Sequence, residues 1–183
     1  MVVGDNDVLT ALHAVYDPTL GWAQKVTVYP GIDTSPFFTT PFGSYSNVGS
    51  VVGRSATWDI DGDGLLTQQE SSGDFALIGL TSRIGDRTGW LPTIDYFGDF
   101  AGVMMGYPAR GTGMMAEAVT AEASTEWGVY DVHSGLGPGA SGGPLLYTEN
   151  GITAVAGVLS SGNAADTLST YAGLYGFGTY EWL

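Results

Sequence analysis

No stretch of this chain keeps a helical period for long. Apolar residues fall instead in short runs, such as Val8-Leu9-Thr10-Ala11-Leu12, Val26-Thr27-Val28-Tyr29 and Phe75-Ala76-Leu77-Ile78, separated by Gly, Pro, Asn, Asp and Ser. Short runs bounded by turn-forming residues predict strands, and their recurrence along the whole chain predicts an all-β protein. Strands are expected at 8–13, 26–29, 48–52 and 74–80. A second set is expected at 101–107, 115–123, 128–132, 144–147, 153–160 and 170–175. Between the sets, residues 82–98 are polar and rich in turn formers, which marks a linker between units at 1–90 and 91–183. Residues 31–47, rich in Pro, Gly, Ser, Thr and Phe, read as a surface excursion.

At 183 residues, 44% of them hydrophobic, the chain can bury one sizeable core or two small barrels that share an interface. Five Lys and Arg stand against 19 Asp and Glu, a formal net charge of −14. Phosphate binding needs a basic footprint, so neither nucleic acid nor an anionic membrane surface is expected as a partner. There is no cysteine, which removes disulfides, thiol nucleophiles and thiolate metal sites. No run has the length of a transmembrane helix. No signal peptide is visible at the start, and the chain reads as a fragment of a longer precursor.

The densest glycine cluster is Gly137-Pro138-Gly139-Ala140-Ser141-Gly142-Gly143-Pro144. Glycine tolerates positive φ and lets backbone approach a ligand closely. Successive N–H groups in such a loop form a concavity suited to a developing oxyanion. A serine hydroxyl is a weak nucleophile alone and needs an oriented base. Two histidines exist, His13 and His133. His13 ends the apolar run at 8–13. The acid is sought among carboxylates that open an apolar run. Asp74 is the first choice, and Asp99, in the similar Gly98-Asp99-Phe100, the second. A carboxylate buried at a strand start is costly unless it accepts hydrogen bonds, and a histidine N–H is a suitable donor.

Residues 139–143 also satisfy the G-x-S-x-G pattern, but enzymes built on that elbow place histidine after the serine. Here both histidines precede Ser141, and the order is His13, Asp74, Ser141.

A second informative stretch spans 59–70. Oxygen donors Asp59, Asp61 and Asp63 occupy loop positions one, three and five. Gly64 at six allows the turn, Leu65 at seven offers a carbonyl, Thr67 stands at nine and Glu70 at twelve. That is the donor pattern of a twelve-residue calcium loop. Without a clear helix before Asp59, it reads as a single structural Ca²⁺ site grafted onto a β scaffold.

Three patches, 8–13, 74–80 and 139–144, together resemble the chymotrypsin/trypsin-like serine protease family, and within it the bacterial glutamyl-endopeptidase-like (V8-type) branch. Gly106-Tyr107-Pro108 and the run 157–162 resemble further landmarks of that family. The resemblance implies a double six-stranded β-barrel, with the first barrel truncated at its N-terminus because only about a dozen residues precede His13. It implies a secreted, monomeric endopeptidase acting on protein or peptide substrates. Ser141 would be the nucleophile, His13 the base and Asp74 its orienting acid. The N–H groups of Gly139 and Ser141 would form the oxyanion hole, and Ser160, Ser161 and Gly162 would pair with the substrate strand. The interval between His13 and Asp74 is long for the family, and the calcium-like loop inside it accounts for the excess.

Two positions depart from the family pattern. The residue before the serine is Ala140 rather than aspartate, so a new N-terminal amine has no carboxylate there to pair with. The position six before the serine is Gly135, so an acidic pocket base is missing. The histidine that glutamyl endopeptidases place near Ser160 is also missing, and His133 is the remaining candidate to approach the pocket. The other reading open at this point is a non-catalytic calcium-binding β module derived from a protease.

Overall fold

The computed structural model describes residues 1–34, 36–46, 48–53, 59–163 and 168–173. Its architecture is all-β. Strands β1 (Asp7–Thr10), β4 (Val48–Gly53) and β5 (Ala76–Leu80) form an antiparallel sheet in the order β1-β5-β4. A small ribbon pairs β2 (Tyr16–Asp17) with β3 (Gly21–Trp22). The second half of the chain supplies β6 (Phe100–Gly106), β7 (Met115–Ser124), β8 (Val129–His133), β9 (Pro144–Glu149), β10 (Ile152–Asn163) and β11 (Leu168–Gly173). These close into a six-stranded barrel in the order β10-β11-β8-β7-β6-β9. Closure pairs both edges of every strand over at least part of its length and removes the exposed edges an open sheet would leave.

Three apolar clusters hold the molecule together. One fills the barrel around Met104, Tyr130, Leu136 and Leu145. Another lies behind the N-terminal sheet, where Ala76, Ile78 and Leu80 alternate inward along β5 and meet Val8, Leu12 and Ile84. The third joins the two halves: Val3, Leu9, Ala11 and Phe75 pack against Leu146, Val155 and Val158. Leu77, on the opposite face of β5 from Ile78, packs against this third cluster. β5 is therefore apolar at consecutive positions because both of its faces are covered.

Six strands are expected in the second half and six are found, although positions 174 and 175 of the last expectation lie outside the described residues. Among the described residues the first half forms a half-barrel sheet of three strands, β1-β5-β4. Two expectations there need correction. The run 8–13 does not end as a strand on His13. β1 stops at Thr10, and Leu12–Ala14 form a 3₁₀ turn, closed by bonds from Ala14 N to Ala11 O and from Val15 N to Leu12 O. Ala11 and Leu12 are fully buried, so the chain turns over them and carries His13 out of the sheet. Among the described residues the run 26–29 forms no strand of its own and makes a single bridge, Val28 to Tyr45. The strand expected at 48–52 is found as β4, and residues 54–58 after it lie outside the described residues.

Among the described residues two one-turn helices interrupt the β architecture, α1 (Gln68–Ser71) and α2 (Gly85–Thr88). The crossing segment 82–98 contains α2 and is tied to both halves. Leu91 N donates to Val2 O at 3.1 Å, while Ile94 N donates to Val155 O at 2.9 Å and Val155 N to Pro92 O at 2.8 Å.

Candidate active site

Asp74 sits just before β5 and is completely buried. A buried carboxylate must be compensated by donors, and three are present. His13 N donates to Oδ1 at 2.8 Å, His13 Nδ1 lies 2.6 Å from Oδ2, and Ser160 Oγ donates to Oδ2 at 2.6 Å. An ionised carboxylate can only accept, so the imidazole proton belongs on Nδ1 and Nε2 is left as a base. The 3₁₀ turn makes this arrangement possible, because it presents both the backbone N–H and the ring of His13 to one carboxylate. Asp99, the second-choice acid, is engaged elsewhere and accepts from Ala123 N at 2.8 Å.

Ser141 is exposed at the end of a loop whose neighbours are tightly fixed. Ala140 is buried in the barrel core, and its Cβ would lie 2.8 Å from a Cβ added at Gly106. Gly142 has φ +79° and lies against the strand that leads to His13. A side chain there would meet the Thr10 hydroxyl and come within 3.0 Å of Ala11 N. The residue after Ser141 therefore touches the segment two to three residues before His13, which brings the serine loop of the barrel to the histidine turn of the N-terminal sheet. Around the loop, Ala140 N donates to Gly137 O, Gly142 N to Leu159 O and Gly143 N to Ala140 O. Among the described residues, the N–H groups of Gly139 and Ser141 have no protein acceptor.

Ser160, Ser161 and Gly162 lie on β10 beyond the point where β9 stops pairing with it, at Val158 opposite Pro144. β11 covers the other edge, with Ser161 opposite Thr170 and Gly162 opposite Ser169. The hydroxyls of the two serines are used inside the protein, however. Ser160 is buried on Asp74, and Ser161 Oγ is 2.8 Å from Ser71 Oγ of α1. His133, at the end of β8, is exposed.

The fold and this geometry can now be set beside known proteins. No family model matches the chain. The solved structure of a Glu endopeptidase superposes with a TM-score of 0.74 at 21% identity, covering 98% of this chain and 80% of that one. The protease Anisep from Arthrobacter nicotinovorans gives 0.78 at 14% identity, covering 100% and 84%. A thermostable serine protease from an extremophilic microorganism gives 0.78 at 18%, covering 100% and 85%. The chain has the V8-type serine protease fold. In sequence, 89 residues, 49% of the chain, are 30% identical to a protein of Bacillus subtilis (strain 168) named extracellular metalloprotease. The chain spans about a quarter of the length of that relative.

On the V8-type fold, the stretch 59–70 forms a surface loop that runs into α1. The carboxylate oxygens of Asp59, Asp61 and Asp63 lie within 4.8 Å of one another. Gly64 has φ +76° at the expected turn, and Asp59 itself adopts φ +51°. Hard oxygen donors at this separation suit calcium. Glu70 is not one of this group, and its carboxylate oxygens accept hydrogen bonds from Ile60 N, Thr67 N and Thr67 Oγ. It is buried, and burial pushes its pKa up. Hydrogen bonds from the Thr67 backbone and side chain, Ile60 N and Asp61 N outweigh this and hold its carboxyl below the usual range. Thr67 caps α1 and forms a reciprocal capping box with Glu70. Glu70 thus ties the first turn of the loop to the start of the helix. Leu65 is exposed.

α1 then reaches across the molecule. Gln68 Nε2 donates to Asp131 Oδ2 on β8, and Ser71 meets Ser161 on β10. Sequence reading missed this role of α1. The only local signal for it was Thr67-Gln68-Gln69-Glu70, which fits a capping box as well as the end of a calcium loop.

Proposed function

We propose that this chain is a serine endopeptidase acting through His13, Asp74 and Ser141. The observation that carries the reading is the pair His13 Nδ1 and Asp74 Oδ2 at 2.6 Å, with Asp74 buried and further held by His13 N and Ser160 Oγ. A histidine fixed in this tautomer has the use of a general base, and the exposed Ser141 lies in the loop packed against its turn.

In the proposed cycle, Ser141 Oγ attacks the substrate carbonyl carbon and gives its proton to His13 Nε2. Asp74 stabilises the resulting imidazolium. The tetrahedral oxyanion accepts hydrogen bonds from Gly139 and Ser141, whose N–H groups have no other acceptor among the described residues. Collapse breaks the C–N bond as His13 returns the proton to the leaving amine. Water, deprotonated by His13, then releases the acyl group and regenerates Ser141. The open edge of β10 at 160–162 supports extended binding of a peptide by main-chain pairing. The B. subtilis relative's name describes a metalloprotease, but the two histidines here lie far apart in sequence and neither is followed by glutamate, as a His-Glu-x-x-His zinc helix requires.

The same reading gives the loop 59–70 a structural Ca²⁺, with Asp59, Asp61 and Asp63 as the core donors and Leu65 O, Thr67 and Glu70 completing the set. Calcium would neutralise the repulsion among three neighbouring carboxylates. Cleavage of extracellular protein by a secreted monomer fits the family resemblance.

A fluorophosphonate probe with added Ca²⁺ tests the nucleophile. Labelling of the chain that disappears in Ser141→Ala is the expected result. A folded chain that takes up no probe would instead be a non-catalytic β module.

A further inference from the structure

The residue before Ser141 carries no charge that could hold its loop. Ala140, immediately before the serine, is an apolar core residue and offers no charge for an amine to pair with. The stretch 137–139 is Gly-Pro-Gly, with φ +72° at Gly137 and +91° at Gly139. Glycines at such angles let the intervening peptide planes reorient, and one reoriented plane would replace an oxyanion-binding N–H with a carbonyl oxygen. Some other contact has to fix the loop.

The polar contacts to its first half come from two neighbouring elements. Arg110 Nη2 donates to Gly135 O at 2.6 Å, and Arg110 Nε donates to Leu136 O at 3.4 Å. Glu117, on β7, accepts from Gly135 N at 3.0 Å. The N–H and the C=O of Gly135 are therefore held by two oppositely charged side chains. Next to Arg110, Ala109 N donates to Pro138 O at 2.8 Å. Leu136 is buried in the barrel core and anchors the same stretch from below.

Arg110 is the only Lys or Arg in residues 91–183 of a chain with net charge −14. Among the described residues it makes no ion pair. In so acidic a protein, a lone guanidinium has many carboxylates available, yet this one is spent on two consecutive backbone carbonyls. The planar fork suits that task, because two parallel donors fix the orientation of what they bind; an ammonium is a single point of attachment.

We propose that Arg110 and Glu117 are positioning residues that clamp Gly135 and so preset the N–H groups of Gly139 and Ser141 for the oxyanion. The inference rests on Ser141 being the nucleophile. The clamp acts on the transition state and not on the ground state. Its loss therefore lowers kcat and leaves KM nearly unchanged. The expected size is roughly ten- to a hundredfold in kcat, below the 10²–10³ of losing a donor outright.

The test compares wild type, Arg110→Ala and Arg110→Lys, using kcat and KM on one peptide substrate, calorimetric affinity for a peptide boronate, and the melting temperature. The boronate forms a tetrahedral adduct at serine and reads the oxyanion site without turnover. Support would be a fall in kcat and a parallel loss of boronate affinity in Arg110→Ala, at similar melting temperature, with partial recovery in Arg110→Lys. If Arg110→Ala does not fold, the same split between kcat and KM in Arg110→Lys serves. Wild-type values in Arg110→Ala would overturn the clamp while leaving the nucleophile intact. So would a change confined to KM for acidic substrates, which would make Arg110 a substrate ligand. A wild-type chain that neither takes up a fluorophosphonate nor binds the boronate would overturn the nucleophile reading, and the clamp with it.

Discussion

Ser160 Oγ, on β10 of the barrel, donates to Asp74 Oδ2 at 2.6 Å, the same oxygen that faces His13 Nδ1. The barrel thereby supplies part of the solvation of a carboxylate that belongs to the N-terminal sheet. Ser160→Ala leaves a buried charged acceptor one donor short. A loss of about 1–3 kcal/mol in folding stability is expected, with a fall in kcat as the His13–Asp74 pair loosens. Chemical denaturation and steady-state kinetics on the same variant check both.

Asp74→Asn keeps the shape of the acid and removes its charge. An amide can donate to Nδ1, which would favour the wrong tautomer of His13. The expected loss is roughly 10⁴-fold in kcat. An activity within tenfold of wild type would mean that Asp74 does not orient the base.

Chelation should act through the loop 59–70. EDTA added to calcium-loaded protein is expected to lower the melting temperature, and Asp61→Ala to abolish the difference between chelated and loaded protein. An unchanged melting temperature of loaded wild type on chelation would count against a bound Ca²⁺.

The bridge made by α1 predicts a contribution from two residues far from the serine. Gln68→Ala and Ser71→Ala each remove one bond between the loop-helix unit and the barrel, at an expected cost of about 0.5–1.5 kcal/mol apiece. Because both bonds tie α1 to adjacent parts of one barrel, the double variant should depart from additivity. A double-mutant cycle in denaturant reads the coupling.

Gly142→Ala tests the contact between the serine loop and the histidine turn. The position has φ +79°, and its added Cβ would press on Thr10 and Ala11. Destabilisation of more than about 1 kcal/mol is expected, together with slower labelling of Ser141 by the fluorophosphonate. A variant as stable and as reactive as wild type would show that the two segments do not depend on this approach.

The sequence by itself determined the all-β class, the six strands of the barrel and the order of His13, Asp74 and Ser141. These are local properties. Strand runs are written in residue type and turn chemistry, and a glycine-bound serine is visible without knowing its neighbours. The capping box at 67–70 was equally local, but it coincided with a metal-ligand pattern that explained the same residues.

Tertiary structure decided the pairings. Asp74 and Asp99 open similar apolar runs, and only the fold brings one of them to His13, 61 positions away. His13 leaves the strand for a 3₁₀ turn because Ala11 is buried between sheet and barrel and Leu12 behind the sheet, a constraint that arises only on packing. The hydroxyl of Ser160 is turned inward to Asp74 because a buried carboxylate there needs a donor. Arg110 gains meaning only when β7 and the serine loop converge on Gly135. In each case a polar group finds its partner across a distance in sequence, where periodicity and local propensity carry no information.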